Sequence, residues 1–375
     1  MLESEHRIHF ADARDLDFIP DRSIDLVVTS PPYPMIEMWD RGFQTWCPQL
    51  AEKWDAGDGR ELFEFMHREL DRVWSGLYRV LREGGFACIN IGDATRSFGG
   101  GFCLYPNHAR VLKSCMDIGF NTLPLIHWRK PTNAPTKFMG SGMLPAGAYV
   151  TLEHEYILIL RKGGVRRFRD ERERENRRRS ALFWEERNHW YADVWDIIGV
   201  RQLLARSEAR KRSGAFPFEI AYRLINMYSV RGDRVLDPFL GTGTTVLAAV
   251  ASCRNSAGVE VDPSLEAHVR STLANSEWET NRYISDRLKR HIGFVADCVE
   301  SGKRLKHTNR HYGFPVMTGQ ERELMLNFVK RVELPSGEAS PSGSGPFAVR
   351  ATYFTEPSLV SPDVAQELSL FSESE

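Results

Sequence analysis

Two short stretches hold residue types and spacings that could do chemistry. Residues 30–33 read Ser-Pro-Pro-Tyr, directly after the apolar run IDLVVT. Neither proline has a backbone N–H and both have a restricted φ, so the run ends in a stiff tip offering acceptors and no competing main-chain donors. An isolated pair of prolines is equally what a plain rigid turn uses. Residues 237–245 read DPFLGTGTT, after RVL and before an alanine-rich helical pattern. Glycines at a strand-to-helix junction let a ligand approach the backbone and the helix N-terminus closely. No lysine follows Gly243, which excludes a Walker loop, and the third glycine of a dinucleotide fingerprint is missing. Asp237 ends the first strand, where an acid suits a cationic group better than a pyrophosphate. Glu260 ends the next strand, AGVEVD, where an acid commonly holds ribose hydroxyls. The ligand implied is a nucleoside with a positive end and no phosphate, a description S-adenosylmethionine fits. Taken alone, the loop is also compatible with ordinary packing of a helix on a strand.

The elements that must position these residues alternate. HRIHF (6–10) and IDLVVT (24–29) read as strands, and 61–82 as an amphipathic helix with Leu62, Phe65, Met66, Leu70, Val73, Leu77 and Val80 on one face. Gly84 and Gly85 are expected to end that helix before the strand FACINIGD. RSFGGGF reads as a loop, 106–118 as a helix, LPLIHWRK and HEYILILRK as strands, and 131–149 as a Pro/Gly-rich loop. The Trp-rich segment 35–59 reads as too polar and Gly-broken for core. FPFEIAYRLINMYSV is an amphipathic helix leading into the strand, loop, helix and strand of 234–262. The pattern predicts an α/β fold, a Rossmann-like doubly wound and mostly parallel sheet with helices on both faces.

With both motifs in place, the chain resembles the amino-directed DNA methyltransferases, which methylate N4 of cytosine or N6 of adenine. SPPY precedes DPFLGTGTT by about 200 residues, which looks like the permuted β group of that family. HFADARDL, LREGGFACINIGD and FPFEIAYRLI resemble further segments of the group. The resemblance implies S-adenosylmethionine as cofactor, held by Asp12, Ala13, Phe216, Pro217, Asp237, Phe239, Gly241, Gly243, Thr244, Thr245 and Glu260. It implies catalysis at Ser30, Pro31, Pro32 and Tyr33. An exocyclic amino group is a poor nucleophile because its lone pair is delocalised into the ring. Acceptors for both its hydrogens let the nitrogen rehybridise, and Ser30 Oγ with the carbonyl of Pro31 or Pro32 could supply them. Tyr33 could stack on a base flipped out of the duplex. In this family serine before the prolines goes mostly with N4-cytosine, and Asp or Asn with N6-adenine. The reading is therefore a site-specific N4-cytosine methyltransferase; N6-adenine methylation and a decayed DNA-binding relative are the alternatives.

The group carries its target-recognition segment where this chain has residues 161–212. Within it, 161–179 hold ten Arg or Lys against four Asp or Glu, and Arg166, Arg167, Arg169, Arg177, Arg178 and Arg179 are the candidate DNA contacts. A solvated helix laced with i,i+4 ion pairs is the competing account, since Glu and Arg alternate. Trp184, Trp190, Tyr191 and Trp195 could stack on bases or form a small core, and VWDI reads as packing. Loops 34–59 and 95–105 flank the expected catalytic face. The domain reading is a catalytic half (1–160), the recognition insertion (161–212), a cofactor half (213–263), a helical extension (264–334) and a flexible linker and tail (335–375).

Bulk properties narrow the setting. The 375 residues are 42% hydrophobic and 26% charged with a formal net charge of −1, as in soluble globular proteins. Six cysteines without a C-x-x-C pair argue against a zinc site or disulfide framework and fit a reducing cytosol. No stretch reaches the roughly 18 apolar residues of a membrane span, and no His/Asp/Glu spacing suggests a metal. The expected location is cytoplasmic and prokaryotic. The partners implied by the resemblance are double-stranded DNA, a cognate restriction endonuclease and, as an open option, a second copy of the chain.

Overall fold

Apolar runs buried on both faces belong in the middle of a sheet covered by helices, and all six residues of IDLVVT are buried. The computed structural model describes residues 2–50, 54, 58–98, 101–130, 139–198, 216–334 and 346–356. The first half contains β1 (Leu2–Phe10), β2 (Ile24–Thr29), α1 (Asp40–Trp46), α2 (Gly59–Val80), β3 (Leu81–Ile91), β4 (Ala94–Phe98), β5 (Gly101–Tyr105), α3 (Asn107–Ile118) and β6 (Phe120–Arg129). Next come β7 (Met139–Gly140), β8 (Ala148–Tyr149), β9 (His154–Lys162), α4 (Glu171–Arg179), α5 (Trp184–Trp190), β10 (Val194–Asp196), α6 (Phe218–Tyr228), β11 (Arg234–Asp237), α7 (Thr244–Ala251) and β12 (Asn255–Glu260). The remainder holds α8 (Glu266–Ala274), α9 (Ser276–Glu300), β13 (His307–Thr308), β14 (Pro315–Val316), β15 (Val329–Glu333) and β16 (Phe347–Tyr353).

Ten strands form one sheet in the order β10-β6-β9-β3-β2-β11-β12-β1-β16-β15. β3, β2, β11, β12 and β1 are parallel neighbours. β9 runs against both β3 and β6, while β10 follows β6. β16 is antiparallel to β1 and β15 to β16. The expected fold is therefore present: a Rossmann-like, mostly parallel sheet. β2 lies beside β11 although their facing residues, such as Val27 and Leu236, are far apart in the chain. This one adjacency brings the tips of the two motif-bearing strands together.

One face of the sheet is covered by α2 and α3, with Leu62, Met66, Leu70, Val73, Trp74, Leu77 and Val80 buried. The other is covered by α6 and α7, through Ile220, Leu224, Ile225, Ala248 and Ala249. Each aliphatic side chain so buried contributes about 1.5–3 kcal/mol, which is why the helical periodicity was legible.

Five expectations are corrected. α2 stops at Val80, and Leu81 is already paired to Ile24; Gly84 and Gly85 belong to an irregularity inside β3 before Phe86 pairs with Leu26. Gly84 takes φ +79, and a Cβ there would lie 2.7 Å from the Arg166 backbone nitrogen. RSFGGGF contributes to the antiparallel pair β4 and β5, with residues 99–100 outside the described residues. The 161–212 region is not set apart from the sheet: β10 is its edge strand, and Trp190 and Trp195 are core residues. Residues 199–212 of that region lie outside the described residues. Finally, the reading of a tail from 335 misses β16, which pairs with β1 from Leu2↔Tyr353 to Ile8↔Phe347. The extension before it is not purely helical, since it contains β13, β14 and β15. It is keyed onto the body by buried Arg287 of α9, which donates to Glu186 of α5 and to the Tyr222 hydroxyl of α6.

Candidate active site

The site stands at the C-terminal ends of the parallel strands, where α/β sheets bind ligands. β2 ends at Thr29, whose Oγ1 donates to Asp237 Oδ1 at the tip of β11 (2.7 Å). Asp237 also accepts from Thr245 Oγ1 (2.6 Å) and the Phe239 amide (3.1 Å). Burial pushes its carboxyl up to about 6, although these hydrogen bonds to the charged form oppose the rise. Asp237 thus ties the catalytic strand, the glycine loop and α7 into one unit. Asp237 is buried behind the cleft described below, whose wall is formed by its neighbours Pro238, Phe239 and Gly241.

The prolines carry the chain out of the sheet. Pro31, Pro32 and Pro34 are buried, and the turn closes by the Ile36 amide donating to the Tyr33 carbonyl (3.2 Å). Buried Met35 takes φ +65, an uncommon conformation for a residue with a side chain. Asn107 of α3 latches the turn, its Nδ2 donating to the Pro34 carbonyl (3.0 Å) and the Gly92 carbonyl (2.9 Å). Backbone position here is imposed by a neighbouring helix as well as by proline.

A polar cluster surrounds the serine. Ser30 Oγ lies 3.0 Å from the Tyr33 hydroxyl, which donates to Glu155 Oε2 (2.9 Å). Asn90 Nδ2 donates to the Tyr33 hydroxyl (2.7 Å) and to Glu155 Oε2 (2.7 Å). Lys130 Nζ donates to Glu155 Oε1. Among the described residues, buried Asn90 Oδ1 has no hydrogen-bond partner. Burial, then the Glu155 charge, hold the Tyr33 phenol well above the ordinary tyrosine range. Asn90, Lys130 and Glu155 have no sequence motif; their signal is position, polar residues at the strand ends that share the catalytic face.

A cleft of about 440 Å³ opens between the serine tip and the glycine loop. Of the residues named from sequence, Ala13, Ser30, Pro32, Phe239, Gly241 and Glu260 line it. Gly241 (φ +56) and Gly243 (φ +90) take left-handed conformations that a side chain would strain. Glu260 Oε2 accepts from the Gly241 amide (2.8 Å) and Oε1 from the Asp262 amide (2.9 Å), and burial pushes its carboxyl up to about 7. The other named residues support the cleft without lining it. Asp12 is engaged by Arg14 (2.6 Å), which also reaches Glu69; partial burial opposes ionisation, but Arg14 outweighs it and holds the carboxyl below its usual range. Phe216 is core, Pro217 caps α6, Thr244 begins α7, and Gly243 precedes it. Met38, Trp39, Phe43 and Trp46 form a further wall. These belong to the segment read as non-core; Phe43 is fully buried, and Asp40 of the same helix pairs with Arg96 of β4 (2.9 Å).

The six candidate arginines are not brought to this end. β9 descends to the opposite end of the sheet, about 20 Å away along six-residue β2, and α4 follows there. Arg166 pairs with Asp233 (2.6 Å), Arg178 with Glu171 (2.8 Å) and Arg179 with Glu175 (2.6 Å). Arg177 lies over Phe168 (4.7 Å to the ring centroid), and Arg167 and Arg169 precede α4 on the same descent. Within α4, Arg174, Arg178 and Arg179 are held in the ion pairs that the alternating Glu and Arg pattern suggested.

A glycine loop, a nucleoside-sized cleft and a donor-free Ser-Pro-Pro-Tyr tip on one Rossmann-like sheet define an amino methyltransferase. The model of the DNA methylase family, the N6 and N4 methyltransferases, matches residues 24–270, and the chain belongs to this family. It is 50% identical to type II methyltransferase M.MthZI of Methanothermobacter thermautotrophicus over 87% of this chain and 91% of that one. It is 49% identical to type II methyltransferase M.MjaI of Methanocaldococcus jannaschii over 72% and 92%. Among solved structures it is similar to TTHA0409 of Thermus thermophilus, assigned as a DNA modification methylase and complexed with S-adenosyl-L-methionine. That match has a TM-score of 0.55, 34% identity and coverage of 72% of this chain and 95% of that chain. The protein is an S-adenosylmethionine-dependent DNA methyltransferase. Among the described residues, no helix is long and apolar enough to cross a membrane.

Proposed function

We propose that the protein methylates N4 of cytosine at a short specific site in double-stranded DNA, as the modification enzyme of a type II restriction-modification pair. The observation that carries the choice of base is Ser30 at the head of the proline pair. The type II relatives support the setting. S-adenosylmethionine, when bound, supplies a methyl carbon made electrophilic by its sulfonium. The cleft fits it: Ala13 and Phe239 offer apolar walls, Gly241 leaves backbone exposed, and Glu260 presents a carboxylate for ribose hydroxyls.

The remaining work falls to this chain's own residues. DNA meets the C-terminal end of the strands, and the target cytosine leaves the stack to reach Ser30. Ser30 Oγ accepts one amino hydrogen and the carbonyl of Pro31 or Pro32 the other, so the nitrogen lone pair is released from the ring for attack. The prolines hold these acceptors without reorganisation, the condition under which electrostatic stabilisation is largest. Pro32 and Tyr33 complete the rigid tip. Nucleosides from DNA incubated with the purified protein should contain N4-methylcytosine by mass spectrometry. N6-methyladenine as the sole product would overturn the choice of base.

A further inference from the structure

A serine heads this catalytic tip where relatives directed at adenine carry an acid or amide, and a neutral hydroxyl is the weaker acceptor. The surrounding cluster holds a carboxylate in reserve. Glu155 stands at the start of β9, Asn90 near the end of β3 and Lys130 just after β6, three neighbouring strands whose ends meet beside Ser30.

Donor counting sets the direction of the hydrogen bonds. An ionised carboxylate only accepts, and Glu155 sits against the Lys130 ammonium and receives Asn90 Nδ2 and the Tyr33 hydroxyl. Tyr33 has one hydroxyl proton, and Glu155 takes it. Asn90 Nδ2 can donate to the Tyr33 oxygen but cannot accept. With Nδ2 facing two oxygens, the alternative amide orientation would set Asn90 Oδ1 against the Glu155 carboxylate. In the 3.0 Å contact between Ser30 Oγ and Tyr33, the serine must therefore donate. Its proton is committed inward; Asn90 Nδ2 makes a long 3.5 Å contact with one side of Ser30 Oγ, and the remaining lone pair is left for the substrate.

We propose that Glu155 is the remote acid of this active site: through Tyr33 it makes Ser30 an obligate acceptor, and it receives the proton that the substrate amino group loses. The proposal rests on Ser30 being catalytic. As the amino nitrogen bonds to the methyl carbon, the carbon–sulfur bond breaks and its electron pair stays on sulfur, which becomes a neutral thioether. The nitrogen must then shed one proton. That proton passes to Ser30 Oγ, the serine proton to Tyr33, and the tyrosine proton to Glu155, leaving a neutral acid beside Lys130. Two contacts of 3.0 and 2.9 Å carry the transfer. Tyr33 stays a phenol at both ends of the step, in keeping with its raised pKa. The Glu155 and Lys130 side chains are 14% and 38% exposed, which gives the proton an exit to water. Glu155 and Lys130 do not touch substrate; they position and charge the group that does.

Glu155→Gln keeps size and a hydrogen-bond acceptor but removes the charge and the proton site. Its single-turnover methyl transfer should fall about 100-fold, within the range for a lost acid–base group. Dissociation constants for S-adenosylmethionine and DNA should stay within about twofold, and Glu155→Asp should recover part of the rate. Tyr33→Phe should lose a similar factor, and the double variant should be no slower than the slower single one, because both act in one chain. Wild-type rate in Glu155→Gln, or losses that multiply in the double variant, would overturn the relay. If Glu155→Gln loses cofactor binding through misfolding, wild-type rate in Tyr33→Phe would overturn it equally. The assay counts labelled methyl groups on any base, so N6-methyladenine as product would refute the base assignment while the relay stands or falls on the rates. No transfer by the wild type would overturn both.

Discussion

The two ends of the central sheet use charge in opposite ways. At the N-terminal ends of the parallel strands, arginines are dense but answered within the chain: Arg166 by Asp233, and Arg178 and Arg179 by Glu171 and Glu175. At the C-terminal ends, some charges are likewise paired, as Arg14 is with Asp12 and Arg96 with Asp40, but three carboxylates are tied to the cleft or its two motifs. Asp237 and Glu260 are buried with raised pKa values, and Glu155 is linked through Tyr33 to a serine at the cleft wall. A high density of charge in the sequence marked the end whose charges are already neutralised. The working end is marked by groups whose surroundings shift or direct their protons.

Substitutions at the two ends should separate this contrast, beginning with the catalytic tip. Ser30→Ala should cut single-turnover methylation by about 10²–10³-fold, the scale of losing one preorganised electrostatic contact. Its cofactor affinity by isothermal titration should be unchanged, because the Oγ acts on the base. Asp237→Ala strands two buried threonine hydroxyls and the Phe239 amide, and should lower unfolding free energy by about 2–3 kcal/mol. Turnover should fall with it, since Thr29 precedes Ser30; denaturant titration and rate measurements check both.

The pH response comes next in size. Glu260 has its folded-state pKa raised from 4.5 to about 7, so the free protein binds a proton there that the unfolded chain releases at lower pH. Its contribution to stability therefore declines as pH rises from about 4.5 to 7, and Asp237 acts in the same sense from 3.8 to about 6. Cofactor affinity runs the other way. Ribose hydroxyls need the ionised form, so affinity should fall by about tenfold for each pH unit below 7, the one-proton limit. Glu260→Gln should flatten that profile. The smallest effects belong to the far end: Arg178→Ala and Arg179→Ala should change turnover and DNA affinity less than about twofold, because exposed ion pairs contribute little. A large loss of DNA binding in either would erase the contrast between the two ends.

The parts of this fold that could be read from sequence are those where one local rule decides the outcome. Alternating strands and helices gave the sheet, and the glycine and proline motifs gave its two tips. What was illegible depended on distant neighbours. Nothing local to Asp237 announces that Thr29, 208 positions away in the chain, donates to one of its oxygens and ties the two motif strands together. Glu155 in HEYILIL is an unremarked polar residue until Asn90 and Lys130 converge on it from adjacent strands. The Trp-rich stretch 35–59 looked too polar for a core, yet Phe43 is fully buried and forms a wall of the cleft with Met38, Trp39 and Trp46. β16 lay hidden behind PSGEASPSGSGP, although FAVRATY has the period-two burial of a half-covered strand.

The pairing of β16 with β1 has a consequence for how the gene itself could be rearranged. Leu2 and Tyr353 face each other across that ladder, so the first and last described strands of the sheet run side by side. A short covalent bridge between these strand ends, with the chain opened in a loop elsewhere, would present the glycine loop before the serine tip. Every strand would keep its neighbours. In this architecture the order in which the two motifs are translated is a matter of where the circle is cut.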